Sequence, residues 1–433
     1  MAQFRRVSNY QIVTLGSAPL YTGGEGAIYE CYESRDLIAK IYKNPTIERS
    51  NKLLVMTANP PNDPMISRGH TSIAWPSDLL RTDNNKTEIS GFLMPKIDGA
   101  RQIFEFYNPK KRRTICPSFN FRYLLRTAKN LVSAFGALHD HGYIVGDVNE
   151  LNILVTNTAL VTLIDTDSFQ VRDPNMGTIW RCLVGKADFT PPELQGRNLS
   201  HIDRSQQHDL FGLSVINFLL LMEGNHPFNA RYLGQGEPKP REERISLGIF
   251  PYSSRSNLKY IPPPHAPSFK TIDPILQYLF RRCFEDGHNN PRARPTTKEW
   301  AEGLEQAEQN LVSCRRSPIH HWYGKHLTRC PWCERTLKYK QDPFSPLSLN
   351  SAKATNTYQR PLPPISAQPS PQLTSTRRAI SALPSSTRAS QHRNPSASHW
   401  SWSKLFIGLV TGVLMGIIMF IAFTIIDLQN SFP

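Results

Sequence analysis

Asp147 and Asn152 stand five residues apart in the stretch HGYIVGDVNELNILV, and the apolar run VTLIDTDSF beyond it stops abruptly at Asp165 and Asp167. Acids at the ends of apolar strands are costly to desolvate unless something needs them there. Asn152 and Asp165 supply oxygen ligands of the kind Mg²⁺ takes alongside substrate phosphates. Asp147, with no metal to hold, can orient and deprotonate an incoming hydroxyl.

Other elements must bring phosphates to these groups. In YTGGEGAIYECY, Gly23, Gly24 and Gly26 lie between β-type runs. A glycine hairpin lets backbone approach phosphates closely, because no Cβ intervenes; glycine turns between strands are also common for local reasons. The following run, DLIAKIYK, carries Lys40 in its middle, where an ammonium can neutralise phosphate charge. No Gly-Lys-Ser/Thr ending follows, which excludes a Walker loop. Thr46 is placed to cap a helix with apolar positions at Ile47, Leu54 and Val55. Glu48 has two readings, an ion pair with Lys40 or a first-turn acid favoured by the helix dipole. TEISGFLMPKIDG reads as a strand running into an extended link at Met94, Pro95 and Lys96, whose backbone groups can bind a flat heterocycle or simply connect two lobes. A long one-sided helix is expected from Leu124, Ala128, Leu131, Phe135 and Leu138.

The order of glycine loop, strand Lys, Asp-x4-Asn, apolar-Ile-Asp, Pro-Pro-Glu (Glu193) and late Arg (Arg294) resembles a eukaryotic-type protein kinase. QHDLFGLSVINFLLLMEGNHPF, with Asp209 near its start, is similar to the helix that follows Ala-Pro-Glu in that family. GDVN and IDTDSFQ look like an atypical bacterial, Ser/Thr-type group within it. The resemblance implies a bilobal α+β domain over residues 1–312, with a small β-rich N-lobe and a helical C-lobe. It also implies an ATP- and Mg²⁺-dependent transfer of the γ-phosphate to Ser or Thr hydroxyls of proteins, autophosphorylation included. Gly24 and Gly26 then shape the phosphate-covering loop, Met94 and Lys96 flank the nucleotide, and Lys40 pairs with Glu48. Asp147 orients the hydroxyl, while Asn152 and Asp165 hold Mg²⁺. The alternative is a catalytically weak, nucleotide-sensing binding module.

Three departures from the family pattern bear on chemistry. Val145-Gly146 replaces the His-Arg before the catalytic Asp, which removes the cation that commonly receives an activation-loop phosphate. Asn149 replaces the Lys that contacts the transferred phosphate. Asp165-Thr166-Asp167 replaces Asp-Phe-Gly, adding an acid beside the metal.

A second constellation, CRRSPIHHWYGKHLTRCPWCER, falls at residues 313–335. Cys330 and Cys333 form a Cys-x2-Cys knuckle with spacing suited to tetrahedral zinc. Cys314 and one of His320, His321 or His326 can complete four ligands, with His321 preferred. A reduced Cys pair under a loop is the alternative.

Composition sets the rest. The net charge is +15, but nine Lys or Arg and one Asp fall between Thr336 and Lys404, so no nucleic-acid partner is expected. Seven cysteines in 433 residues do not make a disulfide scaffold. Residues 336–404, rich in Pro, Ser, Thr and Arg, read as a disordered linker. Residues 405–426 are an uncharged run of about 33 Å if helical, read as one transmembrane helix, with 427–433 as a short extracytoplasmic tail. A single-pass protein of the cell inner membrane with a cytoplasmic kinase domain is the corresponding expectation. Gly408, Gly412 and Gly416 make a smooth face on which a homodimer can form.

Overall fold

In the computed structural model, which describes residues 2–83, 88–255 and 259–345, the strand-like N-terminal material forms a seven-stranded antiparallel sheet. Its strands are β1 (Gln3–Arg6), β2 (Ile12–Thr14), β3 (Tyr21–Thr22), β4 (Gly26–Cys31), β5 (Ser34–Tyr42), β6 (Asp78–Arg81) and β7 (Gly91–Pro95). They lie in the order β2-β1-β6-β7-β5-β4-β3. Successive side chains of a strand point to opposite faces, and β5 uses both. Ala39 joins Phe4, Val13, Leu80 and Leu93 in a small core on one face. Tyr42 joins Phe92 and Met94 in the main core on the other. Lys40 shares the face of Tyr42 and is paired in register with Ile28 on β4 and Phe92 on β7.

Helix α1 (Ile47–Ala58) follows, capped by the Thr46 hydroxyl, which accepts from the Arg49 N–H. It buries Ser50, Lys52, Leu53 and Met56, while Ile47 and Leu54 face solvent. The expected apolar stripe is therefore rotated. Its inner face tolerates polar residues because each finds a partner: the Ser50 hydroxyl accepts from the Ile89 N–H at 2.8 Å, and the Lys52 ammonium donates to the Asp167 carbonyl.

Beyond β7 the chain builds a largely helical region. Strand β8 (Ala100–Gln102) precedes α2 (Ile103–Tyr107), α3 (Pro109–Ile115) and α4 (Phe121–Asp140); β9 (Ile153–Thr156) and β10 (Val161–Leu163) then complete a small sheet with β8. Helix α4 buries Leu124, Ala128, Leu131, Phe135 and Leu138, the 3–4 spacing of a helix packed on one side. A short hairpin, β11 (Val171–Arg172) and β12 (Ile179–Trp180), lies before α5 (Gln206–Leu221). From Asp209 onward α5 is buried on every side, which suits a helix at the centre of the fold. The mixed sheet-and-helix arrangement is compatible with the expected kinase-like fold.

One boundary and the localisation need correction. Residues 336–345, expected in the linker, continue a helix over Pro331–Tyr339 and then return to the helical region. There Phe344 packs on Phe121 and Trp332, and Arg112 and Arg113 donate to the carbonyls of Pro343 and Ser345. Polar composition hid this because one aromatic and two arginines anchor the segment. The single-pass inner-membrane localisation is also corrected: no helix among the described residues is long and apolar enough to cross a membrane. The span expected at 405–426, its Gly408, Gly412 and Gly416 face, the rest of the linker and the tail at 427–433 lie outside the described residues.

Candidate active site

Four elements converge on one polar cluster. Lys40, projecting from β5, donates to the carboxylates of Asp165 and Asp167, both at 2.7 Å. Burial opposes its charge, but Asp167 and Asp165 outweigh that penalty and raise its pKa. The Asp167 side chain is only 3% exposed and also accepts from the Tyr42 hydroxyl at 2.7 Å. Its pKa is lowered: burial acts the other way, and Lys40 and Tyr42 win. From α1, Lys52 donates to the Asp167 carbonyl at 2.7 Å, and burial depresses its pKa.

The turn carrying these acids is set by backbone conformation. Asp165 adopts a left-handed φ of 59°, tolerated best by Gly, Asn and Asp. A 3₁₀ turn over Thr166–Ser168 follows, fixed by the Thr166 hydroxyl on the Ala74 carbonyl and by the Ser168 hydroxyl on the Asp165 carbonyl. The Asp165 side chain stays 41% exposed while it holds Lys40.

Asp147 sits on the loop before β9. Its carboxylate accepts from the amides of Asn149 at 2.9 Å and Asn152 at 3.3 Å. Burial raises its pKa against the opposing effect of the Asn149 bond. Asp209 anchors the loop from α5: its carboxylate accepts from the N–H groups of Val145 and Gly146, each at 2.8 Å, and meets His139 at 3.0 Å. Further along, Glu193 and Arg294 form a two-pronged pair with both N–O distances at 2.7 Å.

Several expected site residues take other positions. Glu48 is exposed in the first turn of α1, so its pairing with Lys40 is corrected; the helix presents Lys52 inward instead. The Lys96 N–H goes to the Asp36 carbonyl at 2.9 Å and its ammonium to Glu30, so this donor does not stand open to a heterocycle. Met94 is buried, in register with Ile38. Gly24 lies in an open turn, whereas a Cβ on Gly26 would collide with the Ile41 carbonyl. The signal missed was Lys52, a cation on the buried side of an amphipathic helix that implied a nearby anion.

The cysteine cluster forms a separate centre. The ligand atoms of Cys314, His321, Cys330 and Cys333 all lie within 4.8 Å of one another. The Cys314–Cys333 sulfurs are 3.6 Å apart, and His321 Nδ1 lies 3.8 and 3.6 Å from the sulfurs of Cys330 and Cys333. A tetrahedron with Zn–S bonds of about 2.3 Å has edges of roughly 3.7 Å, so the cluster fits a metal site. The far ring nitrogen of His321 meets Asp342 at 2.8 Å, the second partner that metal-ligating histidines commonly have. His326 is turned away, to the Lys270 carbonyl.

No family model matches the chain. It is 34% identical over 330 residues to the protein kinase YegI of Escherichia coli strain K12, covering 75% of this chain and 49% of that protein. It is 35% identical over 315 residues to YegI of Escherichia coli O157:H7, covering 72% and 47%. A shorter match, 32% over 100 residues, covers 23% of this chain and 29% of a putative tyrosine-protein kinase, C03B1.5, of Caenorhabditis elegans. The chain thus spans about half the length of the bacterial relatives, and its likeness to them supports a protein kinase.

Proposed function

We propose that the chain transfers the γ-phosphoryl group of ATP to Ser or Thr hydroxyls of proteins, its own included. The observation that supports this best is the cluster in which Lys40 meets Asp165 while Asn152 and Asp147 share a hydrogen bond. Asp147 would hold the acceptor hydroxyl and take its proton as the oxygen attacks phosphorus, and the bond to the β-phosphate oxygen would break. Its raised pKa brings it closer to the proton affinity a base needs. Lys40 would bind phosphate oxygens. The exposed Asp165 and Asn152 carry oxygens suited to Mg²⁺, which supplies charge neutralisation when bound. The kinase relatives favour this reading over a nucleotide-sensing module. The test is phosphate transfer by the full chain with Mg²⁺ and ATP, followed by phosphoamino-acid analysis. Asp147→Asn and Lys40→Met should abolish transfer; equal signal from all three proteins would sink the proposal.

A structural zinc ion at Cys314, His321, Cys330 and Cys333 is the cofactor reading that the donor set supports. About one zinc per chain is expected, and Cys330→Ser with Cys333→Ser should release it. Freshly reduced protein without zinc would refute it.

A further inference from the structure

Arg204 is 6% exposed and sits two residues before α5, far in sequence from the loop of Asp147. Its guanidinium donates to the carbonyls of Gly146 on that loop, and of Val184 and Cys182 on the segment after β12. Its backbone is held as well. The Gln170 side chain accepts from the Arg204 N–H and donates to its carbonyl, both at 2.8 Å. Gln170 in turn exchanges backbone bonds with Ile144 at 2.8 and 3.2 Å. One arginine therefore joins the loop of Asp147, the residues after Asp167 and the stretch at 182–184.

Around it the chain is cut to fit. Gly146 has a φ of 72°, and a Cβ there would lie 2.6 Å from the Cys182 Cβ and 3.3 Å from the Arg204 guanidinium. A Cβ on Gly185 would also come within 3.3 Å of both terminal nitrogens of Arg204. Cys182 is fully buried. An arginine at position 146 could not occupy this site. The position that lacks the phosphate-receiving cation is filled by close packing and by a cation brought from elsewhere.

A loop phosphate acts by giving a cation something to hold, which orders the segment. Here main-chain carbonyls give Arg204 its acceptors, and they are always present. We infer that Arg204 is a positioning residue for phosphoryl transfer: it fixes the segment from Gln170 to Val184 against the loop of Asp147, so the site is assembled with no phosphate on that segment. The inference rests on the kinase reading.

The test uses the full chain and a generic basic protein as acceptor. Chain stripped by a broad-specificity phosphatase, with absence of phosphate confirmed by intact mass, should turn over within twofold of untreated chain and without a lag. Arg204→Gln should lower kcat about 100-fold, the scale of a small misplacement of reacting groups, while KM for ATP stays within about threefold. Arg204→Lys, which keeps one donor and the charge, should restore part of kcat, and it stands in should the Gln variant fail to fold. A lag that shortens on preincubation with ATP, or a tenfold loss on dephosphorylation, would overturn the inference. So would an Arg204→Gln chain with wild-type kcat. A wild-type chain inactive under every treatment removes the kinase reading itself, and with it the inference.

Discussion

Asp167→Asn tests which group holds Lys40. The carboxylate accepts two bonds of 2.7 Å, from Lys40 and from Tyr42. Bonds to charged groups are worth roughly 1.5–3 kcal/mol each. Asn keeps one acceptor, and Asp165 continues to hold Lys40 at 2.7 Å, so a loss of about 2 kcal/mol is expected rather than the larger cost of an unpaired buried charge. In a domain of this size that corresponds to a fall of roughly 4 °C in melting temperature. With Lys40 free to follow Asp165 alone, kcat/KM should fall by about 10- to 100-fold. The folded-state pKa of Asp167 is lowered, so its stabilisation is present above the unfolded value of about 3.9 and is lost as pH falls below it. The gap in melting temperature between the two proteins should therefore narrow as pH drops below about 4. Glu48→Gln is the control and should leave both quantities unchanged. An Asp167→Asn protein with wild-type melting and turnover, or a Glu48→Gln protein with reduced kcat/KM, would refute the assignment.

Because burial raises the pKa of Asp147, the acidic limb of kcat/KM should lie above the ordinary Asp value of 3.8. Asn149→Ala, which removes a bond that favours the carboxylate, should move that limb higher still; a limb unmoved in the pH profile counts against Asp147 as the titrating group. Glu193→Gln leaves Arg294, almost fully buried, with a neutral partner, and should cost about 3 kcal/mol, read by denaturant midpoint. His321 leans on Asp342, so Asp342→Asn should weaken zinc retention against a chelator by about tenfold or more; unchanged retention would show that the contact does not support the ligand.

The order of short motifs carried much of this site. Lys40, Asp147, Asn152 and Asp165 are each set by a local signal, a charged or amide side chain interrupting an apolar run. The structure gathers them because those runs are the strands and helices of one core. Helix α4 and the Cys-x2-Cys knuckle were legible for the same reason. What the residues did not disclose was partner choice. Lys40 and Asp167 are 127 residues apart, and a second acid two places from Asp165 gives no hint that it replaces the helix acid. Arg204 could not be linked to Gly146 because its acceptors are main-chain carbonyls, which leave no mark in residue type. The linker boundary failed where Phe344 and Arg112 outweigh the polar residues of 336–345.

Strand β5 carries Ala39 and Lys40 side by side while its two faces serve different cores. A one-residue slip of β5 during folding would exchange the faces. It would drive the ammonium into the apolar cluster of Phe4, Val13 and Leu93, away from Asp165 and Asp167, at a cost of several kcal/mol. It would also strand Asp167 beside Lys52 alone. Mis-registered chains are thus penalised by the same side chain that pairs with Asp165 and Asp167, and the lysine proofreads the sheet that presents it.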